Sequence, residues 1–333
     1  MADVHATLSS TGLNPDELRA WSIFQPYTTR RLAELIESGN SLVHYTSAEV
    51  AVKIITSKTV WMRCASEMND FSEIDHGVEL LRNVFNSDRG KRFQALLDQL
   101  HQDCWLETTQ QVDQFLRTAR METYLTCLSE HDPRSREHDF GRLSMWRAYG
   151  GTSGVALVLN PAPFTNYNSK MAAWSAAVAY FDQDDMNAEF DAINDGIEQN
   201  LEYLSQMSRE QLREAIYSLL VTRAVATKHP GFREEAEWRV IYNPSHHEPN
   251  PIVCEMENVR GIPQPVCKFP LLHEPESGYV GVDVPTLLQL ALIGPSSHSE
   301  AIASALSQAL STSGVELPWD RIKGSDIPLR TIT

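Results

Sequence analysis

The stretch Glu235-Ala236-Glu237-Trp238-Arg239 gathers two carboxylates, an indole and a guanidinium within five consecutive residues. Written as a strand, its alternation puts Glu237 and Arg239 on one face and Trp238, Val240 and Tyr242 on the other; Glu235 joins Glu237 if the strand starts early enough. A carboxylate at a strand entrance can hold a ribose hydroxyl, stabilise a developing oxocarbenium ion, or act as a base. The same residues also fit a solvated Glu–Arg edge with Trp238 in the core. His44-Tyr45-Thr46 reads as a strand end running into a helix N-terminus, a place where anionic ligands collect. A buried, hydrogen-bonded histidine beside a core tyrosine is the alternative. In the stretch from Leu143 to Gly151, Trp146 and Tyr149 can stack on a planar ring, and the Gly150-Gly151 pair permits close backbone approach. A turn after an aromatic core helix fits equally. Asn69 and Asp70 with Glu73 form either a ligand clamp or a helix cap. His131-Asp132 and His138-Asp139 are metal-ligand residue types, but they sit in a polar stretch with Pro133 and Gly141 that reads as a solvated loop. His246-His247, Cys254 and Cys267 are weaker candidates, and no tightly bound metal is expected.

The elements around these residues follow from periodicity. Leu32, Leu35 and Ile36 form a helical stripe, so residues 1–40 are expected to be a helical N-terminal extension. Residues 41–45 and 59–62 read as short strands. The helix between them is capped by Thr46 with Glu49 and buries Ala48, Ala51, Val52 and Ile55. Helical stripes fill the region near 74–121 and again near 184–228. The run Gly154 to Leu159 is continuously apolar, as a central strand requires. Strands are also expected at 124–129, 172–181, 238–242, 290–293 and 327–330, and a capping box at Ser297 to Glu300 is expected to open a late helix. The proline-rich residues 244–278 show no period and read as loop with strand fragments. One elaborated domain over residues 41–331 is expected.

The totals narrow the function classes. A chain of 333 residues with 42% hydrophobic and 22% charged side chains can bury a sizeable core, so it is a folded globule. Its net charge of −16 repels nucleic acid and anionic membrane at long range. Five widely spaced cysteines without a Cys-x-x-Cys pair argue against a disulfide framework and for a reducing compartment. The first residues lack a basic-then-apolar leader pattern, and no apolar run reaches the ~18 residues a membrane span needs. A cytoplasmic protein is expected. No phosphate-binding glycine loop, dinucleotide fingerprint, His-Glu-x-x-His or nucleophile elbow occurs, which weighs against ATPases, Rossmann dehydrogenases, zincins and serine hydrolases.

The order of the short motifs resembles a large bacterial family known only as a domain of unknown function. The motifs here are His44-Tyr45-Thr46, Trp61, Met68-Asn69-Asp70 with Glu73, Cys127-Leu128-Ser129, Met145-Trp146 with Tyr149, Gly154-Val155, Glu235 to Arg239, and Ser325 to Arg330. That family in turn looks like a distant relative of ADP-ribosyltransferases. The resemblance implies an α+β fold: a split, mostly antiparallel ADP-ribosyltransferase-like sheet core with large helical insertions. It implies NAD as a substrate. His44 would bind the adenosine ribose, Tyr45 or Trp61 would stack near the nicotinamide, Glu237 would stabilise the ribosyl cation, and Glu235 would orient the acceptor nucleophile. Thr46, Asn69, Trp146, Tyr149 and Arg239 complete the expected NAD-binding set. Tyr45 stands where many such enzymes carry glycine.

These readings converge on an enzyme that cleaves NAD and passes ADP-ribose to a protein, a nucleic acid or water. The resemblance places it in a bacterial toxin or anti-phage defence setting, with an antitoxin or phage protein as partner. A metal-dependent nuclease or phosphohydrolase using His131, Asp132, His138 and Asp139 is one alternative. A non-enzymatic nucleotide- or protein-sensing module is the other.

Overall fold

The computed structural model describes residues 7–67, 72–167, 170–244, 250–259, 261–325 and 327. The chain has an α+β fold with a mixed, mostly antiparallel sheet and helical insertions. The described strands are β1 Ser41–Ser47, β2 Thr59–Cys64, β3 Tyr124–His131, β4 Gly154–Leu159, β5 Trp174–Ala177, β6 Ala179–Tyr180, β7 Thr227–Lys228, β8 Glu237–Tyr242, β9 Val253–Val259, β10 Ile262–Pro270, β11 Leu288–Ile293 and β12 Ile322–Gly324. Contacts gather into two compact units. The first comprises residues 1–34, 64–123 and 176–239; the second comprises 35–63, 124–175 and 240–333.

The first unit is mostly helical. The helix Pro15–Phe24 starts at Asn14, whose side chain accepts from Asp16 and Glu17 while Glu17 reaches back to the Asn14 N–H. The region expected to be helical near 74–121 holds the helices Ser72–Phe85, Asp88–Leu100 and Cys104–Glu122. The second such region holds Gln183–Gln199, capped by Asp182 with Asp185, and Arg209–Val225, capped by Ser208 with Gln211. Their apolar stripes meet in an aromatic cluster of Phe85, Phe93, Trp105 and Phe190, with ring centroids 4.7 to 6.1 Å apart. Each such ring, once buried, stabilises the fold by about 1.5–3 kcal/mol. A short parallel pair, β6 with β7, closes this unit and sets Tyr180 opposite Lys228.

The second unit is built on the sheet, in the order β12-β11-β4-β1-β3-β2-β10-β9, with β8 pairing β3 and β5 off this path. The continuous apolar run is β4, buried along its whole length between β1 and β11. The helices Ala48–Ser57 and Ser299–Thr312 pack against each other in this unit.

Local chemistry shifts several expected boundaries. β1 continues through Thr46, so Ser47 rather than Thr46 caps the next helix, accepting from the Val50 N–H. The helix expected to open at Ser297 begins at Ser299, after His298 and without a side-chain cap. The region 172–181 is two short strands rather than one. Residues 244–278 contain a regular hairpin, β9 with β10. β9 is largely exposed, so cross-strand pairing rather than burial holds it, and pairing leaves no hydrophobic period to read. The same register sets Cys254 directly opposite Cys267, and the two form a disulfide. This overturns the expectation drawn from their spacing, because strand pairing, not sequence distance, brings the sulfurs together. Among the described residues, no helix is long and apolar enough to cross a membrane.

Candidate functional site

In the first unit, Glu237 opens β8 after Ala236, which turns the chain with a left-handed φ of 44°. The Glu237 N–H donates to the Tyr180 hydroxyl at 2.8 Å, and its carbonyl accepts from Val178 N at 2.9 Å. These two bonds fix the residue from both sides before its carboxylate makes any contact. The alternation expected from the sequence then sets Glu237 and Arg239 on one face. Arg239 Nε donates to Glu237 Oε1 at 2.9 Å, and Arg239 Nη1 donates to the Val225 carbonyl at 2.5 Å. Val225 ends the helix Arg209–Val225, where free carbonyls and the helix dipole favour a cation.

Lys228 completes the cluster. Its ammonium lies 2.7 Å from Glu235 Oε2 and 3.4 Å from Glu237 Oε2, over the ring of Phe232 at 4.6 Å. The side chains of Lys228, Glu237 and Arg239 are 4%, 5% and 2% exposed, and that of Glu235 is 21% exposed. The solvated-edge reading of Glu237 and Arg239 is thereby excluded. Two acids and two bases compensate one another in a dry setting, where a lone charge would be expelled or neutralised. Burial pushes the Tyr180 hydroxyl far above its usual range, and the charges of Glu237 and Glu235 add to this, so the phenol stays protonated. Lys228 and Tyr180 carried no signal in the sequence. Each stands in a two-residue strand, too short to show a period, and becomes relevant only because β6 and β7 lie side by side.

In the second unit, the His44 ring Nδ1 lies 3.0 Å from the Cys127 carbonyl. A carbonyl can only accept, so Nδ1 carries the proton and Nε2 keeps the lone pair. Burial holds this imidazole below its ordinary pKa, against the upward pull of the Cys127 bond, so it is neutral. Tyr45 is 7% exposed, and its hydroxyl accepts the Arg142 N–H at 2.8 Å. Its ring meets the Trp146 ring edge-on, with centroids 4.9 Å apart. Trp146 is 3% exposed and donates from Nε1 to the Phe140 carbonyl. Glycines wall its ring: a Cβ at Gly141, Gly154 or Gly294 would stand 2.7, 2.9 or 2.8 Å from it. This indole is wrapped by protein, which leaves it the part of a core residue rather than a stacking platform. Tyr149 is exposed at 41%. Thr46 pairs with Val155 in the sheet, and Trp61 lies under the Lys268 ammonium at 5.9 Å. Asn69 lies outside the described residues.

The four residues of the metal-dependent alternative have other partners. His131 Nε2 and His138 Nδ1 are 3.2 Å apart, Asp132 pairs with Arg134, and Asp139 pairs with Lys323. The structure thus brings Glu235, Glu237 and Arg239 together in one unit, and His44, Tyr45, Thr46 and Trp146 together in the other.

Residues 145–240 match the family model described as Protein of unknown function (DUF2971). The match covers less than a third of the chain. It includes Trp146, Tyr149, Tyr180, Lys228 and the stretch from Glu235 to Arg239, and it leaves His44 outside. No curated protein and no solved structure is significantly similar to the chain.

Proposed function

We propose that this protein cleaves the nicotinamide–ribose bond of NAD and passes ADP-ribose to a macromolecular acceptor or to water, as a bacterial toxin or anti-phage defence effector. The observation that carries the reading is the pair Glu235 and Glu237 on one buried ammonium, Lys228, at the entrance of β8. Two cations flank the Glu237 carboxylate, and two bonds from its backbone keep it in place. A fixed charge of this kind stabilises a ribosyl cation without reorganising. In the reaction, the C1–N bond breaks and nicotinamide leaves as a neutral molecule with the bonding pair. An O–H nucleophile then adds at C1 and gives up its proton.

The test is incubation with NAD followed by mass spectrometry of nicotinamide, ADP-ribose and candidate acceptors. Glu237→Gln removes the charge and keeps the shape. We expect a loss of about 100- to 1,000-fold in rate, or roughly 3–4 kcal/mol of barrier. Wild-type-like nicotinamide release by a folded Glu237→Gln protein would end the reading. A second reading rests on the charge balance of the cluster, since four mutually compensated ions also suit the brace of a nucleotide- or protein-sensing module. A wild-type protein that binds NAD without releasing nicotinamide would select it.

A further inference from the structure

We propose that His76 is the general base that takes the proton from the O–H nucleophile, a role that rests on the NAD-cleaving reading above. His76 lies on the helix Ser72–Phe85, outside every motif noted in the sequence. Its Nε2 is 2.9 Å from the Phe181 carbonyl. The carbonyl can only accept, so the ring proton is on Nε2 and the lone pair is on Nδ1. Among the described residues, no hydrogen bond is made to that Nδ1. The ring is half-buried, which holds its direction while leaving one side open.

Two contacts set His76 against the chain neighbours of Tyr180 and Lys228. Phe181, which anchors the ring, follows Tyr180, whose hydroxyl holds the Glu237 N–H. The His229 ring lies 5.8 Å from the His76 ring at a tilt of 57°, and His229 follows Lys228, the cation shared by Glu235 and Glu237. His229 Nδ1 accepts the Gly231 N–H at 3.1 Å, so its own ring proton is on Nε2. The two imidazoles thus present an acceptor and a donor side by side. Next to His76, Gly77 lies so close to the helix Arg209–Val225 that a Cβ would stand 2.7 Å from the carbonyls of Arg223 and Ala224. That backbone contact fixes the helix, and with it His76.

Glu235, to which the resemblance gives the acceptor role, is poorly placed as the base. Its carboxylate oxygen is already taken up by the Lys228 ammonium at 2.7 Å, so it is not free to receive the nucleophile's O–H. In the step itself, the nucleophile's proton passes to His76 Nδ1 and the oxygen pair forms the C1–O bond. The C1–N pair leaves with nicotinamide, and the imidazolium later returns its proton to solvent.

The experiment uses the full chain with water as the nucleophile, measuring nicotinamide and ADP-ribose. His76→Gln keeps an N–H for the Phe181 carbonyl and removes the Nδ1 lone pair. We expect kcat to fall by about 100-fold or more, the usual range for a general base. KM for NAD should hold, and imidazole added to the buffer should restore part of the rate. Nitrogen NMR of the wild-type ring provides a measurement independent of turnover and should find the His76 proton on Nε2. An unchanged kcat in His76→Gln, a loss that imidazole does not relieve, or a ring proton found on Nδ1 overturns the proposal. A wild type that releases no nicotinamide removes both this role and the reading it rests on. An active wild type with an inactive Glu237→Gln and an unaffected His76→Gln removes this role alone.

Discussion

At the scale of single residues, the central fact is that Lys228, Glu237 and Arg239 are buried together, with the half-buried Glu235 at their edge, and compensate one another. Such a cluster adds little net stability, but breaking it is costly, because the remaining charges stay in a dry setting. Lys228→Met leaves Glu235 and Glu237 without their shared cation. We expect a loss of about 3–5 kcal/mol in urea unfolding. Adding Glu237→Gln to that variant should recover part of the loss, since it returns the cluster to net neutrality after one cation is removed, although Glu237 keeps its bond to Arg239 in the single variant. Additive effects would show that the pair does not interact. His131 gives a second residue-scale expectation. Burial, reinforced by the neighbouring His138, holds His131 down to about 4, so the native state keeps it neutral. The unfolded chain binds a proton at this residue near pH 6.5. Its contribution is therefore fully present above about pH 6.5 and fades as the pH falls towards 4, by at most about 3 kcal/mol. Replacing His131 with Asn should flatten the stability profile between pH 6.5 and 4, as urea titrations across that range would show. An unaltered profile would contradict the assignment.

At the scale of elements, glycine decides how closely β4 and its neighbours approach Trp146. A Cβ on Gly154 would stand 2.8 Å from the Gly150 Cα and 2.9 Å from the indole, closer than real side chains come. Gly154→Ala must displace either the strand or the ring, and we expect a loss of about 1–3 kcal/mol, the usual range for overpacking. Combining it with Trp146→Leu should recover stability relative to the two single changes added together, because the smaller side chain vacates the space. Thermal melts of the three variants measure this, and a neutral Gly154→Ala would mean that the cage is looser than its geometry. The Gly150-Gly151 pair read in the sequence as freedom for a ligand to approach. In the structure, the protein's own indole comes within 3.3 Å of a Cβ placed on Gly150, whereas Gly151 has nothing within 4 Å.

At the scale of the whole molecule, the chain passes between its two contact units at residues 34/35, 63/64, 123/124, 175/176 and 239/240. Neither unit is a continuous segment. The stretch matched by the family model, 145–240, takes pieces of both. Residues 145–175 carry β4 without its neighbours β1 and β11. Residues 176–239 carry two long helices without the aromatic partners Phe85, Phe93 and Trp105. We therefore expect a fragment of residues 145–240 to lack a cooperative thermal transition by circular dichroism, whereas the full chain melts cooperatively. A sharply melting fragment would show that these residues hold a core of their own.

Periodicity was enough to read the long helices, the central strand β4 and the strand over Trp238 to Tyr242, whereas the expected caps at Thr46 and Ser297 were each displaced. Those features depend on neighbours three or four residues apart in helices and two apart in strands, and such spacings are visible in a sequence. The alternation that sets Glu237 and Arg239 on one face was legible for the same reason. That this face is dry was not. Burial of the pair depends on Lys228 from β7, Tyr180 from β6 and the carbonyl of Val225, none of which is in local register with β8. The Cys254–Cys267 disulfide and the His76–Phe181 bond lay out of reach for the same cause: each joins elements whose proximity is set by strand or helix packing. The amino-acid order determined which elements form and which residue types were available for chemistry. Only the tertiary structure decided which charges face one another away from water, because desolvation depends on all the chain around a residue and not on its neighbours in sequence.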